Sequence, residues 1–154
     1  MPLLTQMEQR RIEADILRRL FDMLTERFGR AEALQMVGDA TRAAAREAGK
    51  AHAETCDTTP NLTHFATVVN TWRSSRALEI AKVEIGFDKM RAIIKRCGYV
   101  DAYREMGLPD DLVCQISCLR EEAFAEGYSS HLSLKRPTTL CRDRKPCELI
   151  YTWK

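Results

Sequence analysis

The sequence has no long apolar run and no strong excess of charge of one sign. Its 154 residues include 24 lysines and arginines against 22 aspartates and glutamates, a net charge of +2. That balance argues against the basic footprint typical of nucleic-acid-binding domains. Because no stretch of eighteen apolar residues occurs, no transmembrane helix is predicted.

The first fifteen residues also lack the apolar stretch that a secretory signal peptide needs, because acidic and basic side chains are mixed there. We therefore expect a cytoplasmic protein, without membrane or nucleic-acid partners, whose six cysteines are thiols rather than three disulfides. With 45% hydrophobic and 30% charged residues, the composition is typical of a globular protein. We predict one domain over residues 1–154, with a helical part (1–75) and a sheet-containing part (76–154).

Several motifs of well-known chemistries are missing. The sequence contains no P-loop, no GxGxxG and no GxSxG, so phosphate, dinucleotide and serine-hydrolase chemistry are not predicted. The cysteines have no CxxC spacing and the histidines no HxxxH spacing, which argues against a zinc site or an iron–sulfur cluster. We predict neither a metal nor a cofactor.

Apolar spacing changes along the chain from the helical period to strict alternation. The first half has helical spacing, and the second half contains two alternating pairs separated by short helices. The pattern predicts an α+β fold in which N-terminal helices pack with an antiparallel four-stranded sheet of two hairpins, in the order β-β-α-α-β-β. The predicted elements are helices 7–29, 30–54 and one after Pro60, strands 81–87 and 90–97, helices 99–106 and 110–126, and strands 131–140 and 147–153.

An apolar stripe runs along the first predicted helix at steps of four residues. The stripe is typical of an amphipathic helix. One arrangement that it allows is a homo-oligomer in which this helix pairs with a second copy. The stripe consists of Ile12, Ile16, Leu20, Leu24 and Phe28, and it is widened by Leu17, Phe21 and Met23.

The predicted helix 110–126 places Cys114, Cys118 and one of two glutamates, Glu121 or Glu122, on one stripe. A thiol with a carboxylate one turn away supplies a nucleophile and a general acid or base within reach of one small ligand. The alternative is that these cysteines only pack in the core, since free cysteine is among the most buried residue types.

Arg136 shares the apolar face of the predicted strand 131–140 with leucines. A guanidinium there needs a partner, because an unpaired buried charge is costly. The partner is either a protein carboxylate, such as Glu121 or Glu122, or the carboxylate of a ligand. Cys147 begins the apolar face of the last strand, so we expect it to face the same interior.

Four motifs in the last third of the chain resemble one known family. They are RCxYxxxYRxxGxP at 96–109, SCxRxxAxxEGY at 117–128, RxxTL at 136–140 and CxxxY at 147–151. Over residues 72–153 the sequence resembles the L-2-amino-thiazoline-4-carboxylic acid hydrolase family.

The resemblance implies hydrolysis of a C–N bond in a small cyclic amidine-like or amide-like heterocycle that bears a carboxylate, with an N-carbamoyl amino acid as product. In that chemistry Cys118 would attack or position the amidine carbon, and Glu121 would protonate the ring nitrogen or activate water. The implied substrate-binding residues are Arg136, which would hold the carboxylate, and Thr139, Cys97 and Cys147, which would line the pocket.

As a nucleophile, Cys118 would need a lowered pKa, which Arg120 or Arg136 would favour and an apolar setting would oppose. A different class of function is also compatible with the sequence. The strand and helix order is similar to that of 4-vinyl-reductase-type domains, which bind small ligands without catalysis. In that alternative, Arg136 and the cysteines line a pocket that only binds.

Overall fold

A computed structural model describes residues 3–154. Within that range the chain forms seven helices and one four-stranded antiparallel sheet, which confirms the predicted α+β fold. Met1 and Pro2, which begin the predicted helical part, lie outside the described residues. The elements are α1 (Gln6–Phe28), α2 (Arg30–Glu54), α3 (Leu62–Phe65), α4 (Val68–Ser74), β1 (Leu78–Ile85), β2 (Lys89–Cys97), α5 (Gly98–Glu105), α6 (Asp110–Ser117), α7 (Leu119–Tyr128), β3 (Leu132–Lys135) and β4 (Cys147–Trp153).

The sheet has the strand order β1-β2-β4-β3, and every neighbouring pair is antiparallel. The two hairpins meet at β2 and β4, where Met90 lies opposite Tyr151 and Ala92 lies opposite Leu149. All four side chains are buried, and they pack against α3, α4 and α7. One face of the sheet therefore carries the main core, as the alternating pattern predicted.

Helix α1 begins with a capping box. The Thr5 hydroxyl accepts a hydrogen bond from the Glu8 amide at 3.1 Å, and the Glu8 carboxylate accepts one from the Thr5 amide at 2.7 Å. At the other end, Gly29 has φ 88°, a conformation that glycine adopts at little cost. This residue separates α1 from α2, as the sequence predicted.

The inward face of α1 matches its predicted apolar stripe only in part, at Phe21. The buried side chains are Ala14 and Phe21, which belong to a second core shared with α2, α5 and α6. Most of the stripe is instead about half exposed, so pairing of this helix with a second copy stays a prediction. The exposed stripe members are Ile12, Ile16, Leu20, Met23 and Phe28.

Helices α2 and α7 approach each other at two glycines. A Cβ added to Gly49 would clash with the carbonyl oxygen of Phe124, and one added to Gly127 would clash with that of Arg46. Glycine lowers helix propensity, so neither residue is there to favour the helix. In the structure both glycines allow the two backbones to touch.

Two elements near the site differ from their predicted extents. The predicted helix 110–126 consists of α6 and α7, which meet at Cys118. The predicted strand 131–140 ends at Lys135, because Pro137 has no amide hydrogen to donate to the sheet. Residues 136–146 therefore leave the sheet as a loop, which we call the connecting loop.

Smaller differences affect the other predicted elements. The helix after Pro60 is divided into α3 and α4, and the first strand covers residues 78–85 rather than 81–87. Within residues 3–154, no helix combines the length and apolar character that a membrane span requires. A single domain over residues 1–154 and a cytoplasmic location stay predictions.

Candidate active site

The six site residues proposed from the sequence line one small space, which we call the thiol pocket. It lies between the sheet, the α6–α7 junction and the connecting loop, and its volume is about 20 Å³. A space of that size holds about one water molecule, and an amino-acid-sized substrate does not fit. The six residues are Cys97, Cys118, Glu121, Arg136, Thr139 and Cys147.

The three thiols come from three different elements. Cys97 is the last residue of β2, Cys118 joins α6 to α7, and Cys147 is the first residue of β4. The Cys147 sulfur also accepts a hydrogen bond from the Leu140 amide at 3.1 Å, which ties the connecting loop to the sheet. The antiparallel sheet thus brings residues from distant parts of the sequence to one end of the pocket.

Thr139 shapes the connecting loop from inside. Its side chain is buried, and its amide donates to the Asp143 carboxylate at 2.8 Å. Its hydroxyl accepts a hydrogen bond from the Arg142 amide at 3.1 Å. These bonds form a turn around Thr139, so its hydroxyl already has one partner within the protein.

Arg136 is surrounded by acceptors of the protein itself. Its Nη1 donates to the backbone carbonyl of Cys118 and lies 4.0 Å from Glu121 Oε2, and its Nη2 lies 3.8 Å from Glu122 Oε2. Only 13% of the Arg136 side chain is exposed. The protein therefore provides the partner that a buried guanidinium needs, and binding of a ligand carboxylate by Arg136 stays a prediction.

Glu121 is only partly enclosed. Its side chain is 31% exposed, but its Oε2 is shielded from solvent and has no hydrogen-bond partner within the described residues. Burial raises the pKa of the Glu121 carboxyl, and the nearby Arg136 guanidinium opposes that rise. A carboxyl that keeps its proton above the usual pH range has the property of a general acid.

The thiols of the pocket share this apolar setting. Burial raises the pKa of Cys97 and of Cys118 to about 12, and it also raises the pKa of Cys147. Arg136 opposes the shift at Cys118, but burial is the larger effect. Arg120 points elsewhere, toward Glu13. Of the two settings considered for Cys118, the structure therefore shows the one that disfavours a thiolate.

The prediction that all six cysteines are thiols is wrong for one pair. Cys114 and Cys141 form a disulfide with a Cα–Cα distance of 5.9 Å, which lies in the range that disulfides require. The connecting loop folds back onto α6 and brings together residues that are 27 positions apart in the sequence. Among residues 3–154, the free thiols are Cys56, Cys97, Cys118 and Cys147.

A larger space lies on the other side of Glu121. It has a volume of about 390 Å³, and we call it the helical cavity because α1, α2, α4, α5 and α7 form most of its wall. Glu121, Ser117 and Leu78 line both this cavity and the thiol pocket. Two surface depressions of about 570 and 560 Å³ flank Arg96, and only Cys97 of the six proposed residues borders them.

The helical cavity contains three charged side chains without a predicted ligand-binding role. Arg10 Nη1 lies 3.0 and 2.8 Å from the two carboxylate oxygens of Glu13, and Arg120 Nη2 lies 3.2 Å from Glu13 Oε2. We call these residues the arginine–glutamate triad. Arg120 belongs to the SCxRxxAxxEGY motif, but Arg10 and Glu13 lie more than a hundred residues earlier, and their helical spacing gave no sign of this contact.

A comparison with protein families matches residues 9–151 to the L-2-amino-thiazoline-4-carboxylic acid hydrolase family. The chain belongs to this family. The match reaches beyond residues 72–153, where the sequence motifs lie, and includes the two long N-terminal helices. A search of curated proteins found no match to the chain.

Membership in this hydrolase family is consistent with a small-molecule substrate. The helical cavity has a volume in the range of small-molecule sites, whereas the thiol pocket does not. The arrangement thus combines a cavity for a small ligand with one partly enclosed carboxyl, Glu121, on its wall.

Proposed function

We propose that the protein is a hydrolase that opens a small cyclic amidine bearing a carboxylate, by attack at the amidine carbon. Family membership supports the reaction class. The observation that carries the proposal is the position of Glu121, whose carboxyl has a raised pKa and borders a cavity of about 390 Å³. A positioned acid beside a cavity of that size suits protonation of a departing ring atom.

Ring opening adds water across the bond between the amidine carbon and a ring heteroatom. In the proposed step, Glu121 gives its proton to the departing ring atom as this bond breaks. The attacking water forms the new carbon–oxygen bond and gives a proton to the Glu121 carboxylate. The residue is therefore regenerated, and the net reaction consumes one water molecule.

The identity of the broken bond depends on the ring. In 2-amino-thiazoline-4-carboxylate, release of the ring sulfur keeps both C–N bonds of the former ring carbon and gives an N-carbamoyl product. Release of the ring nitrogen instead breaks a C–N bond and gives an S-carbamoyl product. The C–N cleavage and the N-carbamoyl product implied by the resemblance are therefore two separate outcomes for a thiazoline.

Cys118 has a less direct role in this proposal. Because burial raises the pKa of Cys118 to about 12, its thiol keeps its proton at neutral pH, which favours water as the nucleophile. We propose that Cys118, Cys97 and Cys147 shape the pocket beside Glu121. Arg136 and Thr139 hold the connecting loop against that pocket.

The test is incubation of the purified chain with L-2-amino-thiazoline-4-carboxylate, followed by mass spectrometry and a free-thiol assay. An N-carbamoyl product carries a free thiol, whereas an S-carbamoyl product carries a free amine. Glu121→Gln should lower turnover at least about a hundredfold, and Glu122→Gln, at the neighbouring and more exposed glutamate, should retain it. Absence of any product with the wild-type chain would refute hydrolysis of this ring.

A module that binds a ligand without reaction is the second candidate. The raised thiol pKa values and the small volume of the thiol pocket favour it. The same incubation, combined with calorimetric titration of the heterocycle, separates the two functions. Saturable binding without product would support the binding module.

A further inference from the structure

We propose that the arginine–glutamate triad binds the carboxylate of the ligand, with Arg10 and Arg120 as its two anchors. The inference rests on the proposed function for the class of ligand, a small heterocyclic carboxylate. It assigns a ligand-binding role to two side chains that the sequence motifs left without one.

The triad has one more positive than negative charge. Arg10 and Arg120 share a single carboxylate, since Nη1 of Arg10 lies 2.8 Å and Nη2 of Arg120 lies 3.2 Å from the same oxygen of Glu13. A guanidinium has five N–H donors, and Arg120 directs one more of them, at Nε, to the carbonyl of Ile116 at 2.8 Å. The two groups therefore retain donors for a second anion.

Burial increases the energetic effect of this excess positive charge. The side chains of Arg10 and Arg120 are only 19% and 17% exposed, so solvent screens their mutual repulsion less than at the surface. Burial and the neighbouring charge of Arg10 lower the pKa of Arg120, in the direction expected where positive charge is poorly compensated. A carboxylate bound between the two guanidinium groups would compensate that charge.

The cavity provides the remaining features of a site for a small heterocycle. Trp72 and Phe124 add aromatic surface to its wall, and the hydroxyl of Tyr99 donates to Gln6 at 2.9 Å within the same wall. Glu121 follows Arg120 directly in α7, and both residues border the cavity. A ligand held by its carboxylate at the triad would thus lie in the cavity that Glu121 borders.

Arg136 is the less available cation. It borders the thiol pocket, whose volume is about 20 Å³, and it already contacts the Cys118 carbonyl and two glutamates. A ligand carboxylate would have to displace these acceptors to reach it. At the triad, by contrast, the cavity already offers open volume next to the guanidinium groups.

Calorimetric titration with 2-amino-thiazole-4-carboxylate, an aromatic analogue of the thiazoline, tests the proposal on the full chain. Arg120→Gln and Arg10→Gln should each weaken its binding at least about tenfold, since each removes a charge-assisted contact. Arg19→Gln is the matched control, because this arginine also lies on α1 but its side chain is 68% exposed. The carboxamide form of the analogue should bind weakly and alike to all these variants.

Glu13→Gln changes the triad in the opposite direction. It removes the competing anion and should tighten binding of the analogue several-fold, a gain that misfolding could not produce. Equal affinity in the wild-type, Arg10 and Arg120 variants, weaker binding by Glu13→Gln, or no binding to the wild-type chain would overturn the inference.

Turnover separates this inference from the proposed function. If the thiazoline is hydrolysed and Arg120→Gln leaves KM unchanged, the inference fails while the proposed function stands. If the analogue binds through the triad but no product forms from the thiazoline, the inference stands and the proposed reaction fails.

Discussion

The two spaces that meet at Glu121 differ in size and in the side chains that line them. The thiol pocket has a volume of about 20 Å³ and is lined by thiols and by Arg136, which already has acceptors within the protein. The helical cavity has a volume of about 390 Å³ and is lined by two further arginines and by aromatic rings. The cysteines proposed from the sequence line the first space, whereas the second has room for a small ligand. A cluster of residues with suggestive chemistry is therefore not by itself a substrate site.

The difference in size has identifiable causes. Three contacts hold the connecting loop over the thiol pocket: the Cys114–Cys141 disulfide, the bond from Leu140 to the Cys147 sulfur, and the bond from Arg136 to the chain at Cys118. Besides His52, α2 contributes only small side chains to the wall of the helical cavity, which leaves room there. These side chains are Ala44, Ala45 and Ala48.

The largest effect is expected at Glu121, one of the three residues that line both spaces. Glu121→Gln should lower kcat by roughly 10²–10⁴-fold, because it removes the proposed acid. The raised pKa of Glu121 means that its acid form persists above the usual range, so wild-type activity should fall as pH rises through that raised pKa. Turnover measured across pH should lose this descending limb in Glu121→Gln and keep it in Glu122→Gln.

The same residue predicts a pH dependence of stability. Between the ordinary pKa and the raised pKa of Glu121, the folded chain binds more protons than the unfolded chain, so the free energy of unfolding falls as pH rises. Urea unfolding at several pH values should show this slope in the wild-type chain. An equal slope in Glu121→Gln would assign it to another group.

The Cys114–Cys141 disulfide links the connecting loop to α6 beside the thiol pocket. Replacing Cys114 and Cys141 by alanine should lower the free energy of unfolding by roughly 2–4 kcal/mol, because the bond closes a segment of 27 residues in sequence separation. Denaturant unfolding measures the loss, and Cys56→Ala is the control in a loop away from the pocket. An unchanged unfolding midpoint after the double replacement would show that the loop is held without the disulfide.

Two helices in the wall of the helical cavity, α2 and α7, pack closely against each other. Gly127→Ala should destabilise the chain by about 1–3 kcal/mol, because the added methyl group meets the backbone carbonyl of Arg46. Gly86→Ala is the control, since a Cβ there makes only an ordinary contact at 3.5 Å. Equal thermal unfolding of the two variants would contradict the close approach of the helices.

The smallest expected effect on kcat is that of replacing Cys118, the cysteine that the sequence suggested as a nucleophile. Cys118→Ser should lower kcat by less than about tenfold, because a thiol with a pKa of about 12 is a poor nucleophile at neutral pH. Steady-state turnover of the thiazoline, with Cys97→Ser as the matched change in the same pocket, provides the measurement. A loss of several orders of magnitude in Cys118→Ser alone would restore the covalent mechanism.

Much of the fold could be predicted because its signals are local. Helical spacing predicted α1 and α2, and alternation predicted the strands around Met90 and Tyr151 whose side chains form the core. Local signals failed where one residue interrupts a pattern. The proline at position 137 ended a strand that alternation alone would have continued to residue 140.

The α+β class, the family and the residue types that gather at the thiol pocket could all be predicted from the sequence. The tertiary structure was needed to show which of these side chains are buried, which cysteines form a disulfide, and where a ligand has room. Those properties depend on burial and on contacts across long separations, such as 27 residues for the disulfide and 107 for Arg120 with Glu13. Spacing along a helix or strand carries no information about either, because the desolvation that raises the pKa of Glu121 comes from the packing of distant elements.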